Sequence, residues 1–180
     1  VEFSRATAIN THPLLVAAVV EALERLGAAE VRIGEGPGHR RDTWTLAEEA
    51  GYFDAIPDFE RRFVDLNRDD VAQAGELEGH GTLWLPQTAL GADLIVSMPK
   101  LKTHHWAGVT LSMKNFFGVV PGALYGWPKN VLHHYGIDRS IVKLAGLLSP
   151  RAIAIVDGIV GMEGNGPIQG RPRRAGGRCS

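Results

Sequence analysis

Residues 91–122 constrain this chain more than any other stretch. An apolar run at residues 94–96, closed by Pro99, predicts a short buried strand. Eight polar side chains that can donate hydrogen bonds follow it: Lys100, Lys102, His104, His105, Thr110, Ser112, Lys114 and Asn115. Because ligands of open parallel sheets bind beyond the carboxyl ends of the strands, this order predicts a binding site there.

Strands and helices alternate along most of the sequence. Apolar residues at three- and four-residue spacing predict a first helix that Thr11 caps and Gly27 ends, and a late helix that Asp138 caps. Residues 94–96 and 152–156 are apolar throughout, which is typical of strands covered on both faces. The sequence therefore predicts an α/β fold of three layers, with a mainly parallel sheet and helices on both faces.

Four connecting segments complete this prediction. Residues 67–81 are acidic and polar, which indicates a surface excursion, and residues 125–135 are predicted to form a loop. Residues 109–117 are predicted to form a helix. The Gly/Pro-rich residues 35–39 lack a dinucleotide-binding glycine pattern, so they indicate either a plain turn or a loop whose backbone approaches a ligand closely.

Composition limits the class of protein. The 180 residues are enough for one domain, predicted over residues 1–170, followed by a basic tail over residues 171–180. A net charge of −1 gives no general attraction to nucleic acid or to an anionic membrane. Cys179 is the single cysteine, which favours a reducing compartment and a cytoplasmic location. No apolar run approaches the roughly 20 residues of a membrane span, although a signal sequence could precede the initial Val1.

The lysines after the predicted strand indicate an anion site. Two ammonium groups, on Lys100 and Lys102, suit a phosphate or a carboxylate, and the alternative is a pair of solvated lysines. The ligand-binding residues predicted on this basis are Lys100, Lys102, Thr103, Thr110, Asn115, Glu163 and Asn165.

The histidines supply groups that can move protons near neutral pH. Lys114 lies in an apolar neighbourhood, where a depressed pKa would make it a base or nucleophile; alternatively it lies on the polar face of a helix. Asp157 follows an apolar strand and either contacts the ligand or caps the turn after it. The predicted catalytic residues are His104, Lys114, His133, His134 and Asp157.

The sequence leaves open whether the predicted site binds a metal. Adjacent histidines in a strand point to opposite faces, so at most one residue of each pair is expected in a common site. Asp157 or Glu163 could complete a set of ligands, but no spacing such as H-E-x-x-H demands one. Hydrogen-bonded structural histidines are the alternative.

Four segments together resemble a known family. Residues 98–104 read M-P-K-L-K-T-H, and residues 109–122 contain T-x-x-x-K-N-x-F-G followed by P-G. Residues 11–13 (T-H-P) and residues 156–167, with their G-x-G-P end, agree as well. In this order the segments closely resemble the domain of unknown function 362 family.

That resemblance implies little chemistry, because the family has no assigned activity. Many members look like an α/β domain joined to a ferredoxin-type segment with iron–sulfur motifs. With one cysteine this chain cannot itself ligate a four-cysteine cluster, so a ferredoxin-type domain would be a partner. Family members also begin with a K-P-N strand and continue past the G-x-G-P loop, so the chain is expected to be a fragment, truncated at both ends.

A fainter similarity links the chain to the N-terminal domain of lactate racemase-like proteins. His104, Lys114, the pair Pro121-Gly122 and then His133 or His134 follow the order of that domain. There the lysine tethers a nickel-pincer nucleotide and the histidines exchange substrate protons. The glycines that flank that lysine are absent here.

Three hypotheses follow. The first is an enzyme domain that holds an anionic small molecule, or a metal or nucleotide-type cofactor, through its lysines and moves protons with its histidines. The second is a non-catalytic module that binds an anion or docks onto an iron–sulfur partner, and it needs the lysines but not the histidines. The third is a fragment without a function of its own, whose apolar sheet edges would be exposed.

Overall fold

The chain forms short helices and strands in a computed structural model that describes residues 8–174. The helices are α1 (Pro13–Arg25), α2 (Thr43–Glu49), α3 (Tyr52–Ala55), α4 (Phe59–Arg62), α5 (Gln87–Gly91), α6 (Ser112–Asn115), α7 (Gly122–Tyr125), α8 (Asn130–Tyr135) and α9 (Ile137–Leu148). The strands are β1 (Ile33–Glu35), β2 (Phe63–Asp65), β3 (Val71–Leu77), β4 (Gly81–Pro86), β5 (Ile95–Ser97), β6 (Lys100–His104), β7 (Gly108–Thr110), β8 (Ala152–Ala154), β9 (Asp157–Glu163) and β10 (Arg171–Arg173).

The described strands pair in four small sheets. β1 pairs with β2 and β5 with β8, both parallel, whereas β3 and β4 form an antiparallel hairpin. The fourth sheet has the order β10-β9-β6-β7, with β6 and β9 parallel and both outer strands antiparallel. The α/β class is therefore confirmed. The mainly parallel, three-layer arrangement is not, because the sheets are small and antiparallel ladders are as numerous as parallel ones.

Two hydrophobic clusters support this framework. The first surrounds Tyr52, Phe59 and Phe63 and includes the buried face of α1 at Val16 and Val20. The second packs α9 and the 3-10 turn Phe116–Val119 against the β3–β4 hairpin, and its most buried members are Leu77, Leu83, Leu85, Val120, Leu132, Leu144 and Leu148. Since α6 leads directly into that turn, the second cluster fixes the position of Lys114 and Asn115, two of the residues predicted for the site.

The helix starts differ from the predictions. α1 is capped by His12, whose Nδ1 accepts a hydrogen bond from the Leu14 amide at 3.2 Å, because the Thr11 hydroxyl instead donates to the Met98 carbonyl at 2.6 Å. α9 begins after Gly136, a residue with φ of 109°, so Asp138 lies in the first turn and makes no capping hydrogen bond. Both cap predictions are wrong, although both helices were located correctly.

Three segments were also assigned wrongly from sequence. Residues 67–81 contain β3, which pairs with β4 and buries Leu77, so this segment belongs partly to the core rather than to a surface excursion. Residues 109–117 are not one helix, because the chain first turns back at Gly108 (φ 72°) and pairs β7 with β6. Residues 125–135, predicted as a loop, contain α8.

The apolar strands are less covered than predicted. β5 and β8 form a two-stranded sheet on their own, and Leu94 and Ile153 are 47% and 49% exposed. At the end of the described chain, Arg171–Arg173 forms β10 and is exposed throughout, within the stretch predicted as a basic tail. Cys179 lies outside the described residues. None of the helices between residues 8 and 174 has the length and apolarity that crossing a membrane requires.

Candidate functional site

A buried ion pair lies where β6 and β9 begin. Lys100 and Asp157 are direct neighbours in the parallel ladder, and Lys100 Nζ donates to Asp157 Oδ2 at 2.6 Å. The same oxygen accepts the His12 amide at 2.7 Å, and Asp157 Oδ1 accepts the Ile159 amide at 3.2 Å. Both side chains are buried. The pair thus joins the start of α1 to the sheet, and this geometry favours a structural role over the predicted catalytic and ligand-binding roles.

The rest of β6 holds the glycine-rich loop that follows β9. Thr103 Oγ1 donates to the Gly164 carbonyl at 2.9 Å, and a Cβ atom on Gly166 would lie only 2.0 Å from the Thr103 carbonyl oxygen. On the other side of the strand, Lys102 Nζ donates to the Ile9 carbonyl at 3.0 Å. Thr103 therefore positions the loop, while the half-buried Lys102 reaches toward the cleft described below.

Glu163 is the last residue of β9, and Asn165 lies in the loop after it; both are exposed. The Glu163 carboxylate pairs with Arg173 of β10 at 2.9 Å. The Asn165 amide donates to the Gln169 side-chain oxygen at 3.1 Å. Glu163 therefore supports the β9–β10 pairing, and Asn165 faces the cleft from the glycine-rich loop.

His104 ends β6 and has a defined tautomer. Its Nδ1 accepts hydrogen bonds from the backbone amides of Trp106 at 3.1 Å and Ala107 at 3.2 Å. This hydrogen-bond pattern assigns the proton of the neutral ring to Nε2. Burial, reinforced by the neighbouring Lys114 and three further basic groups, His105, Lys102 and His133, lowers the pKa of His104 to about 4. At neutral pH His104 is therefore an uncharged Nε2–H donor.

His133, in α8, has the opposite tautomer. Its Nδ1 lies 3.1 Å from the Lys129 carbonyl oxygen, which can only accept, so Nδ1 bears the proton and Nε2 keeps its lone pair. Burial lowers the pKa of His133 as well, and the hydrogen bond to Lys129 opposes that change. The adjacent His134 is exposed because successive residues of a helix point about 100° apart. Of the predicted pair, His133 lines the cleft described below and His134 does not.

Lys114 and Asn115 lie in α6, immediately before the 3-10 turn. The Lys114 ammonium lies 4.2 Å from the centre of the Phe117 ring, a cation–π contact. Asn115 Nδ2 donates to Ser97 Oγ at 3.1 Å and so ties α6 to β5. Thr110, opposite Lys102 in the β6–β7 ladder, is half-buried.

Lys129 is a residue that sequence reasoning missed. It has a left-handed backbone (φ 64°) and is only 2% exposed. Its ammonium donates to the carbonyls of Gly36 at 3.0 Å, Phe117 at 3.0 Å and Gly118 at 3.2 Å. A Cβ atom on Gly36 would lie 2.2 Å from the Gly118 oxygen, so the glycine is required by the approach of two backbone segments. Nothing in the local sequence separates Lys129 from an ordinary solvated lysine.

These elements border one large cleft of about 1760 Å³, which exceeds the ~300–1,000 Å³ of a typical small-molecule site. The predicted residues that line it are Lys100, Lys102, His104, Thr110, Lys114, Asn115, His133 and Asn165. The predicted residues outside the lining are Thr103, His134, Asp157 and Glu163. The cleft therefore brings three residues of β6 and two of α6 together with His133 of α8; the five are Lys100, Lys102, His104, Lys114 and Asn115.

A metal site has no support among residues 8–174, where no group of three His, Cys, Asp or Glu side chains is placed to hold an ion. Asp157 and Glu163, the acids proposed to complete such a set, are paired with Lys100 and Arg173.

Comparison with known proteins identifies a relative and a family of this chain. The "Thylakoid-associated protein sll1697" of Synechocystis sp. is 31% identical over 172 residues, which cover 92% of this chain and 51% of that protein. The chain thus spans about half the length of this curated relative. No solved structure matches. The family model described as "Domain of unknown function (DUF362)" matches residues 1–179. The chain therefore belongs to the DUF362 family, as its four sequence motifs indicated.

Proposed function

We propose that this domain is an enzyme domain that binds an anionic small molecule in the cleft and transfers a proton to and from it. One observation carries the proposal: His104 and His133 face the same lysine-bearing cleft with opposite tautomers. One ring offers a proton donor at Nε2 and the other offers a basic lone pair at Nε2. Such a difference between two titratable groups is what acid–base chemistry requires.

The basic surroundings of His104, at one part of the cleft, support an anionic ligand there, although acidic residues line other parts of the cleft. The neighbours that lower the pKa of His104 are all lysines or histidines. Lys102 and Lys114 both line the cleft. A phosphate or carboxylate bound beside His104 would be attracted to these ammonium groups and could accept hydrogen bonds from them.

The histidines then have separate tasks. His133 Nε2 takes a proton from the bound molecule and becomes an imidazolium. His104 donates its Nε2–H to the oxygen on which negative charge develops, as a neutral imidazole can. Return of the proton from His133 to the same or another atom completes the cycle. The reaction class is proton abstraction next to a carbonyl or carboxyl group.

A second candidate is a non-catalytic module that binds an anion or docks a partner. The exposure of Trp106, Val109 and Met113, at 59%, 47% and 49%, favours a surface used for docking. A ferredoxin-type iron–sulfur partner rests on the family resemblance alone. A cytoplasmic location is part of the proposal and rests on cysteine usage; thylakoid association is a property named for the relative.

The test measures binding and proton exchange separately. Calorimetry with inorganic phosphate and a panel of small oxo- and hydroxy-carboxylates reports binding, and proton NMR in D₂O reports loss of carbon-bound protons. We expect Lys102→Met and Lys114→Met to weaken binding. His133→Gln should keep binding and abolish exchange, and His134→Gln, its matched control, should change neither.

The outcomes separate the candidates. Lysine-dependent binding without exchange for any member of the panel would favour the non-catalytic module. Absence of binding to every anion would contradict the enzyme and the anion-binding module, and would leave the docking of a partner as the function to test.

A further inference from the structure

We infer that the ligand of the cleft carries a planar aromatic ring attached to its anionic group, and that Trp106 is the side chain on which this ring stacks. The inference rests on the proposed anion-binding function and adds the chemical class of the ligand. Its basis is a row of rings along one wall of the cleft.

The row runs without a gap from β6 to the 3-10 turn. The rings of His104 and His105 stack at 5.1 Å between centres with an angle of 19°. Trp106 then contacts His105 at 5.0 Å and His133 at 4.9 Å, both in T-shaped geometry, and His133 contacts Phe117 at 5.3 Å. These separations lie within the range of favourable ring pairs, so the rings hold one another in place.

Two rings of the row are exposed, His105 and Trp106, and the larger of them is Trp106. It is 59% exposed, compared with 39% for Trp44 and 38% for Trp84, and Trp127 is half-buried. It lies in the turn between β6 and β7, whose backbone is fixed because the amides of Trp106 and Ala107 both donate to His104 Nδ1. A large ring that is held rigidly yet left uncovered at a cleft is suited to bind a second ring.

Positive charge lies at the end of the same wall. The Lys114 ammonium lies 4.2 Å from the centre of Phe117, the last ring of the row. Lys102 lines the cleft from β6. A planar ring on Trp106 can therefore direct an attached phosphate or carboxylate toward these lysines, and the cleft of about 1760 Å³ has room for both parts.

Polar groups that could form hydrogen bonds with the edge of a bound ring lie beside this wall. The glycine-rich loop is joined to His105, whose Nδ1 lies 3.0 Å from the Gly166 carbonyl. From this loop Asn165 and Gln169 line the cleft. The hydrogen bond between their side chains uses neither the Asn165 oxygen nor the Gln169 nitrogen, so one acceptor and one donor remain for a heteroaromatic edge. The structure thus favours a nitrogen-containing ring with an acidic substituent.

The test uses three probes that separate ring from anion: adenosine 5′-monophosphate, ribose 5-phosphate and adenosine. Calorimetry on the 180-residue chain should show the monophosphate binding about tenfold more tightly than ribose 5-phosphate, since stacking of one base contributes about that factor or more. Trp106→Leu should remove this difference and leave ribose 5-phosphate binding unchanged. Trp106→Phe should retain most of it, and Trp84→Leu, a control outside the cleft lining, should retain all of it.

Equal affinity for the two phosphates would overturn the inference and leave the proposed function standing. Adenosine binding as tightly as its monophosphate would also overturn it, because the ring would then bind without its anion. Failure of both phosphate probes, of inorganic phosphate and of every carboxylate in the panel above to bind, in a protein with a cooperative melt, would contradict the proposed function together with the inference.

Discussion

The Lys100 ammonium lies 2.6 Å from Asp157 Oδ2, and the two residues are 6% and 1% exposed. They face each other across the parallel β6–β9 ladder, and the same carboxylate accepts the His12 amide at 2.7 Å. The pair therefore connects three parts of the chain, and its lysine lines the cleft. A charge buried in this way is stable only while its partner remains.

Removing either partner should unfold the protein more easily. We expect Lys100→Met and Asp157→Asn each to lower the free energy of unfolding by about 3 kcal/mol, since each leaves the other polar group poorly compensated. The double variant should lose much less than the sum, as double-mutant cycles of coupled pairs do. Urea unfolding of the four proteins measures this. Arg25→Met, which breaks the exposed Arg25–Glu21 pair, is the control and should change little.

An additive double variant would show that the two residues do not stabilise each other. A second readout tests the predicted catalytic role of Asp157: if an activity is found and Asp157→Asn abolishes it while the folded population is unchanged, the structural interpretation of this carboxylate is wrong.

The close approach of Gly36 to Gly118 gives a second prediction. Gly36→Ala should lower the free energy of unfolding by about 2 kcal/mol or more, because the new methyl group would meet a backbone oxygen at 2.2 Å and the backbone would have to move. Gly91→Ala is the matched control, since nothing lies within 4 Å of its Cβ position. Thermal unfolding of both variants checks this. Equal melting temperatures would contradict the close packing of the two segments.

Lys129 gives a third prediction. Lys129→Met keeps the length of the side chain but removes the donor for three carbonyls, so we expect a loss of about 3 kcal/mol in the free energy of unfolding. Arg61→Met, at an exposed position, should stay within about 0.5 kcal/mol. Urea unfolding compares the two. A loss no larger than that of the control would mean that water replaces the ammonium at these carbonyls.

The sequence indicated which part of the chain borders the cleft better than it indicated the contacts that each side chain makes. Motifs around residues 98–122 identified the family and the strand end, and Lys102, His104, Lys114 and His133 do line one cleft. Local pattern could not reveal how hydrogen bonds are distributed over long sequence separations. Thr11 was assigned as a cap, yet its hydroxyl bonds Met98, 87 residues away.

The same limit explains the other differences. The ammonium of Lys129 bonds Gly36, 93 residues earlier in the sequence, and no local period encodes such a contact. His133 and His134 are indistinguishable as neighbours in sequence until α8 turns one inward and leaves the other exposed. Residues 109–117 have apolar spacing that suits a helix, but pairing of β7 with β6 prevents it, because tertiary contacts override weak propensity.

The low pKa of His104 predicts how stability depends on pH. In the unfolded chain the pKa of His104 has its ordinary value of 6.5, whereas in the folded protein burial and the neighbouring cations lower it to about 4. Between these values the unfolded chain binds a proton that the folded chain does not. The free energy of unfolding should therefore fall as pH falls from about 6.5 to about 4, by about 1–3 kcal/mol.

Urea unfolding at several pH values measures this loss, and His104→Gln should reduce it because the variant has no ring to protonate. His134→Gln, at an exposed position, is the control and should keep the wild-type slope. An unchanged slope in His104→Gln would contradict the lowered pKa.

The same histidine links anion binding to pH. In the free protein burial, and after it the positive charge of Lys114, His105, Lys102 and His133, lowers the pKa of His104. An anion bound near His104 would offset that positive charge. The pKa of His104 should therefore rise on binding, so that binding takes up protons. Affinity for sulfate, whose charge is constant over this range, should increase as pH falls from about 7 toward 5.

Calorimetry in two buffers of different ionisation enthalpy measures both the affinity and the protons taken up. His104→Gln and His133→Gln should each weaken the pH dependence, because burial and neighbouring cations lower the pKa of His133 too. Lys102→Met should instead lower the affinity at every pH, because it removes one ammonium group from the anion site, and should keep a pH dependence, because both histidines remain. An affinity that is independent of pH, or that rises with pH, would mean that the anion binds away from the two histidines.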